Sequence, residues 1–250
     1  MRNAHFSKSD DAALQARLED WMDQCRTRRK PVRSCFLSPA QQAFLTPFLP
    51  WDLAYRWDGG CLGAERKKLI LAPEEADLSS DIVCLTARIS DKFVQLKHPD
   101  VLGALMNMDL DRSQFGDLWV EPGRIVIYTS DDLADYVCMN LTRIHRLSIQ
   151  LQRSSMRYEP AVEKQTLTVI VTALRLDCVI GGLCRMSRAK AQELIRAQKV
   201  SVNHKILDEC DFLCHNEDTI SVRGYGRFVL KGQRGQTRSD RIVAEFEKYV

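Results

Sequence analysis

The strongest constraint in the chain lies between residues 175 and 199, where two helical patterns meet across a capped turn and the second carries two unlike faces. In Arg175 to Cys184, Leu176, Val179, Ile180 and Leu183 fall at i, i+3, i+4 and i+7, the spacing of one apolar helix face. Ser187 stands where it can cap the next helix. There Ala191, Leu194, Ile195 and Gln198 share one face, while Arg188, Gln192, Arg196 and Lys199 share another. One face must pack and the other is cationic. The sequence that follows supplies the packing partner. Val200 and Val202 alternate with polar residues, Asn203-His204 reads as a turn, and Ile220 with Val222 gives a second short strand. Arg223-Gly224-Tyr225-Gly226-Arg227 ends that strand, and its glycines let backbone approach a phosphate chain.

The charge distribution agrees. Over 250 residues, 36 Lys+Arg against 33 Asp+Glu leave a net charge of only +3. From 175 to 250 there are 14 Lys+Arg and 10 Asp+Glu, against 22 and 23 in residues 1–174, so the whole excess sits in the last third. A basic module on a neutral body suits an acidic partner, of which nucleic acid is the commonest, although an excess this small also suits a solvated face. At 45% hydrophobic and 28% charged, the chain is neither a polyelectrolyte nor a membrane protein, and its longest apolar-rich run, Leu167 to Leu174, is far short of a bilayer span. The start, MRNAHFSKSDD, lacks a signal-peptide pattern, and nine Cys show no disulfide framework, so the expectation is a cytoplasmic protein with reduced thiols.

The remaining chain predicts an α+β protein in three parts: an N-terminal helical region over 1–60, a central domain over 61–174 with a linker at about 151–165, and the basic module over 175–250. Leu14, Leu18, Trp21 and Met22 recur at helical spacing, and the basic run Arg26, Arg28, Arg29 and Lys30 stops at Pro31. A short helix starts after Ser38-Pro39. In the middle, strands are expected at Lys67–Ala72, Ile82–Ile89, Gly116–Val120, Arg124–Thr129 and Leu167–Leu174. Helices are expected at His98–Asp109 and after Ser130-Asp131, the latter with Leu133, Tyr136, Val137, Leu141, Ile144 and Leu147 inward. That alternation points to a ferredoxin-like or RRM-like sandwich.

Arg175-Leu176-Asp177, then Ser187-Arg188-Ala189-Lys190-Ala191-Gln192-Glu193-Leu194-Ile195, then Lys199-Val200-Ser201-Val202-Asn203 resembles the S4 domain, the RNA-binding module first described in ribosomal small-subunit protein four. It departs at Gln198 and His204, where S4 domains often carry Gly. Further matches run along the chain: Gly59-Gly60 with Ala64-Glu65-Arg66-Lys67-Lys68, His98 with Leu102-Gly103-Ala104-Leu105-Met106, Phe115-Gly116-Asp117, and Ser221 to Arg227. Together they are similar to the bacterial YlmH family, which shares its S4 module with the short heat-shock S4 protein and with RqcP. The resemblance implies a non-enzymatic, monomeric RNA binder without cofactor, its partners rRNA and tRNA on the large ribosomal subunit. It further implies a role in ribosome-associated quality control, holding peptidyl-tRNA on an obstructed subunit.

Arg175 and Arg188 match the S4 pattern near helix N-termini and are the leading RNA contacts. Asp177 orients a basic side chain or caps the first helix, and Ser187 caps the second. Lys190, Arg196, Lys199 and Lys205 are backbone-positioning charges or a solvated surface, and Asn203 is the turn residue of the pattern. Arg223 and Arg227 flank Tyr225, which either packs on the domain or stacks on a base. The resemblance adds a second contact at Arg66, Lys67 and Lys68. No Cys-x-x-Cys pair exists, so no metal site is expected from Cys178, Cys184, Cys210, Cys214 or His215. Arg-Leu-Asp at 175–177 also matches the triplet of pseudouridine synthases, whose Asp is catalytic, but no synthase domain is left over. An RNA-modifying enzyme or a ribosome assembly factor therefore stands as the alternative. No cofactor-cradling Gly-rich loop, Gly-x-Ser-x-Gly or phosphate-binding Gly-Lys motif is present.

Overall fold

The computed structural model describes residues 8–89, 96–155, 158 and 164–249. Its internal contacts divide the chain into two units, residues 1–160 and 161–250.

The first unit begins with α1 (Lys8–Arg28), which buries Leu14, Leu18 and Cys25 and ends where Arg29 takes a left-handed φ of 49° ahead of Pro31. After β1 (Val32–Arg33), the helix α2 (Pro39–Leu45) is set by a capping box: Gln41 N donates to Ser38 Oγ at 3.4 Å, and Ser38 N donates to Gln41 Oε1 at 2.8 Å. β2 (Ala54–Asp58) and β3 (Lys68–Ala72) complete a three-stranded antiparallel sheet in the order β1-β3-β2. Leu37, Leu45, Leu69 and Leu71 join the α1 leucines in its core. The strand expected at Lys67–Ala72 therefore does not belong to the central domain. It is the middle strand of the N-terminal sheet, and a boundary at residue 60 would cut the hairpin that pairs Trp57 with Leu69. The apolar face of α1 needs a sheet to pack on, and β3 supplies it.

The central sheet is built from β4 (Ile82–Arg88), β5 (Phe115–Glu121), β6 (Arg124–Ser130) and β9 (Gln152–Ser154), with α3 (His98–Met106) and α4 (Asp131–Asn140) between them and a small hairpin, β7 (Arg143–Ile144) with β8 (Leu147–Ser148), before the last strand. The chain order β-α-β-β-α-β and the antiparallel spatial order β5-β6-β4-β9 give the expected ferredoxin-like arrangement. Leu85, Ile125 and Ile127 pack with Val101, Leu105, Ala134 and Val137 of the helices. The opposite face carries Cys84, Val126, Tyr128 and Tyr158, with Trp119 packed against them. Three expectations change here. α4 ends at Asn140 instead of reaching Leu147, and Tyr136 is 45% exposed. Ser130 makes no side-chain cap bond because its Oγ accepts from Lys68 Nζ at 2.9 Å. Within the expected linker, Gln152–Ser154 is a sheet strand, while residues 156–157 and 159–163 lie outside the described residues.

The second unit opens with β10 (Lys164–Val171), followed by α5 (Leu176–Leu183), α6 (Arg188–Arg196), β11 (Val200–Val202), β12 (Lys205–Ile206), β13 (Thr219–Val222), β14 (Gly226–Gln236) and β15 (Ile242–Tyr249). Its sheet runs β10-β15-β14-β13-β11-β12. β10 pairs with β15 from Lys164↔Tyr249 to Val171↔Ile242, so the strand assigned to the end of the central domain belongs to the basic module, and a boundary at 175 would remove an edge strand. The reason is packing. Leu167 and Val169 line the apolar side of this unit with Leu176, Val179, Ile180, Ala191 and Ile195.

That packing requires a glycine. A Cβ built on Gly182 of α5 would lie 2.3 Å from Val169 Cγ1. Gly182→Ala is expected to cost about 1–3 kcal/mol by overpacking, and Val169→Ala in the same chain to recover part of the loss. Urea unfolding of the two single variants and the double variant checks this: simple additivity would mean that β10 does not press on α5.

Candidate nucleic-acid interface

The interface is assembled around one carboxylate. Asp177 sits in the first turn of α5 with its side chain fully buried, and three side chains donate to it. Arg188 Nε donates to Oδ2 at 2.8 Å, Gln192 Nε2 donates to Oδ2 at 2.8 Å, and Arg175 Nη2 donates to Oδ2 at 3.3 Å. The carboxylate is 0% exposed, whereas the Arg175 and Arg188 side chains are 36% and 54% exposed, so the buried anion holds two half-exposed cations at the surface. Arg188 uses only its Nε here, which leaves both Nη groups for a second partner. Burial alone would push the Asp177 carboxyl up. The hydrogen bonds from Gln192, Arg188 and Arg175 outweigh it and hold the group well below the usual carboxylate range.

The backbone makes this position available. Ser187 caps α6 as expected, its Oγ accepting from Lys190 N at 3.3 Å, and the one-turn spacing of Arg188 and Gln192 puts both over Asp177. At α5, by contrast, the first N–H groups are used internally: Leu176 N donates to Phe212 O at 2.9 Å and Asp177 N to Cys210 O at 3.1 Å. Arg175 therefore contributes its side chain and not a phosphate-ready helix end.

The other expected residues divide into three groups. Arg196, Lys199 and Lys205 are exposed, and Arg223 N donates to Lys199 O at 2.9 Å, which fixes the β13–β14 turn beside the end of α6. Lys190 is paired with Glu193 at 2.9 Å, and the nearby Tyr225 phenol adds to Glu193 in favouring its charged form. Tyr225 is 42% exposed at the tip of that turn, while Arg227 lies over the Tyr249 ring at 5.7 Å. Asn203 has a structural task instead: its Nδ2 donates to the buried Asp218 at 2.7 Å and its Oδ1 accepts from Thr219 N at 2.9 Å. Gln198, Asn203 and His204 all adopt left-handed φ values, 56°, 48° and 67°, at the positions where glycine is the easier residue. Each costs on the order of 1 kcal/mol, and Asn tolerates the region best.

The second contact is overturned at two of its three residues. Arg66 points inward, with Nη2 donating to Phe36 O at 2.8 Å and Nε to Phe115 O at 3.1 Å, and burial pushes its pKa down. Lys68 is buried, its Nζ 2.7 Å from Asp81 Oδ2. Both cations tie strands together, Lys68 buried and Arg66 half-buried with its guanidinium on backbone carbonyls. Lys67 is half-buried at the bridge to Leu37. Cys214 is a core residue whose thiol is pushed up to about 12 by burial, and among the described residues no group of three or more His, Cys, Asp or Glu side chains is arranged to hold a metal ion.

Two features lay outside the expected site. Gln192 was legible as part of the cationic face, yet only the fold makes it a donor to Asp177. Arg185, exposed with a φ of 52° in the turn between α5 and α6, carries no helical-face signal at all. In the first unit, a cleft of about 830 Å³ beside the open side of the central sheet is lined by Arg56, Arg153, Ser80, Ser154 and Tyr128. Both of its arginines are already paired, Arg56 with Asp58 at 3.2 Å and Arg153 with Asp131 and Asp135.

A ferredoxin-like domain followed by a helix pair that presents carboxylate-anchored arginines on an antiparallel sheet defines the class: an α+β protein with a C-terminal S4-type module. A family model described as "Putative RNA-binding domain in YlmH" matches residues 73–158, which is the ferredoxin-like domain. The ribosome-associated protein quality control protein P2 of Bacillus subtilis (strain 168) is 32% identical over 252 residues, spanning 98% of this chain and 97% of that protein. The solved structure of the cell division protein ylmH from Streptococcus pneumoniae aligns with a TM-score of 0.48 and 23% identity over 62% of this chain and 96% of that one. The chain belongs to the YlmH family.

Asp177 sets an acid limit. Its folded pKa is depressed, so its contribution is fully present above the unfolded value of about 4 and is lost as pH falls through the folded one. Asp177→Asn is expected to cost about 2–3 kcal/mol at pH 7 and to flatten the loss of stability below about pH 4. Chemical denaturation from pH 7 down to pH 3 checks it. A variant with the wild-type pH profile would remove Asp177 from the role of anchor.

Proposed function

We propose that this protein is a non-enzymatic RNA-binding protein that sets its α5–α6 face on rRNA and tRNA phosphates of the large ribosomal subunit and stabilises peptidyl-tRNA during ribosome-associated quality control. The observation that carries the reading is the Asp177 anchor. It preorganises Arg175 and Arg188 at the surface, so that phosphate binding does not have to order two long side chains. The near-full-length relative named for ribosome-associated quality control supports the setting. Arg196, Lys199, Lys205 and Arg223 extend the positive surface around the anchored pair, and Arg227 and Tyr225 border it. The reading places a monomer in the cytoplasm, and among the described residues no helix is long and apolar enough to cross a membrane.

The alternative of a pseudouridine-synthase-like enzyme needs Asp177 as a nucleophile. A carboxylate that is 0% exposed and engaged by three donors is poorly placed for that work. An assembly factor would use the same phosphate chemistry and differ in the particle it follows.

The Arg175→Ala, Arg188→Ala double variant is expected to be destabilised by the loss of two donors to the buried Asp177 and, at a temperature where its circular dichroism shows it folded, to lose co-sedimentation with large subunits. Wild-type affinity for their RNA should fall with salt at a slope of about −0.7 to −0.9 per phosphate neutralised. Sucrose gradients at two salt concentrations check both. Unchanged co-sedimentation of the folded double variant would sink the assignment, and wild-type protein travelling with small subunits would favour the assembly reading.

A further inference from the structure

The end of α1 carries a second concentration of positive charge that the α5–α6 face does not use. Arg28, Arg29 and Lys30 are consecutive and exposed, and Arg29 turns the chain out of the helix with its φ of 49°. Among the described residues none of the three has an ion-pair partner. Trp51, 97% exposed, precedes Asp52, whose carboxylate pairs with Arg26 of the same helix end. The pair is two-point: Arg26 Nε donates to Asp52 Oδ2 and Arg26 Nη2 donates to Asp52 Oδ1, each at 2.9 Å. Pro50 on one side of Trp51 is buried, and Leu53 on the other belongs to the core of α1 and the N-terminal sheet. The indole thus projects from a pinned segment, and its exposure is not that of a loose loop.

A tryptophan 97% exposed on a fixed backbone presents a large aromatic face to a partner with little rotamer freedom to lose. Its surroundings select the partner. Phe48 and Tyr55, 43% and 46% exposed and within four residues of Trp51 in the chain, are further aromatic surface on the same segment. Here the Arg26–Asp52 pair neutralises itself and ties the Trp51 segment to the helix end that carries three exposed cations. That combination fits a single-stranded nucleic acid, with phosphates on the cations and an unstacked base on the ring.

We propose that Arg28, Arg29, Lys30 and Trp51 form a second RNA contact that takes a single-stranded RNA segment by base stacking on Trp51. This shares with the reading above only that the protein meets RNA, and it requires no contribution from the α5–α6 face. Arg26 is a positioning residue: it holds Asp52, and through it Trp51, against the helix end.

The test titrates the full chain with a mixed-sequence single-stranded RNA oligonucleotide while iodide quenching of tryptophan emission is read. The RNA should protect wild-type emission from iodide, and Trp51→Phe, a surface change that leaves the fold intact, should remove that protection. Replacing Arg28, Arg29 and Lys30 with Ala should weaken binding about tenfold at low salt and reduce the slope of log K against log salt by about 2. The Arg175→Ala, Arg188→Ala variant should keep the protection even where it no longer follows large subunits, which separates the two surfaces. Wild-type binding by both the Trp51→Phe and the triple-alanine variant would overturn the proposal. So would protection of Trp51 by intact subunits but not by free RNA, the outcome expected of a protein partner.

Discussion

The buried carboxylate of Asp177 is the contact on which the proposed RNA-binding surface depends. Two long, flexible cationic side chains on neighbouring helices would otherwise sample many rotamers, and each would lose that freedom on meeting a phosphate. A single anion placed under them, fully desolvated and saturated by Arg175, Arg188 and Gln192, removes the cost before any partner arrives. It also ties α5 to α6, so the orientation of the recognition surface and the packing of the helix pair are one arrangement. The pair packs through Val179, Ile180, Ala191 and Ile195 in one core with Val169 of β10, which is why β10 belongs to this unit.

Elsewhere the same residue types do the opposite work. Arg66 and Arg112 direct their guanidinium groups at backbone carbonyls of Phe36, Phe115 and Gly116, and Lys68 closes on Asp81 and Ser130. Burial pushes Arg112 down to about 10, with Arg66 adding to it, and these groups hold the N-terminal sheet to the central sheet instead of addressing solvent. A basic cluster in sequence therefore has two outcomes. On a helix face with an apolar opposite side the cations emerge; at the entry to a five-residue strand that is buried along its whole length they turn inward to satisfy carbonyls and carboxylates.

This contrast explains the mild net charge of the protein. In the proposed reading, binding relies on a few placed cations: the anchored pair and its exposed neighbours on α6, and the trio at the end of α1. The ferredoxin-like domain matches the family's RNA-binding model, and its helix-free face is partly closed by Tyr158, which packs 5.4 Å from Trp119 beneath the Arg124 guanidinium.

The sequence alone determined the elements whose signals are local. The two faces of α6, the Ser187 and Ser38 caps, the Asn203-His204 turn and the β-α-β-β-α part of the central domain all follow from spacing and side-chain chemistry within a few residues, whereas its last strand, Gln152–Ser154, read as linker. Tertiary structure decided what depends on distant partners. β3 and β10 read as generic strands, and only the apolar faces of α1 and α5 assign them to their sheets. Arg66 and Lys68 read like any basic run, and only Phe36, Phe115 and Asp81, which lie 13 to 49 residues away, turn them inward. Asp177 and Arg188 are 11 residues apart, and the turn that brings them within 2.8 Å makes an ordinary acidic residue the anchor of the interface. Periodicity records which side of an element is apolar; burial and charge pairing record what that side meets, and that information exists only once the chain has closed on itself.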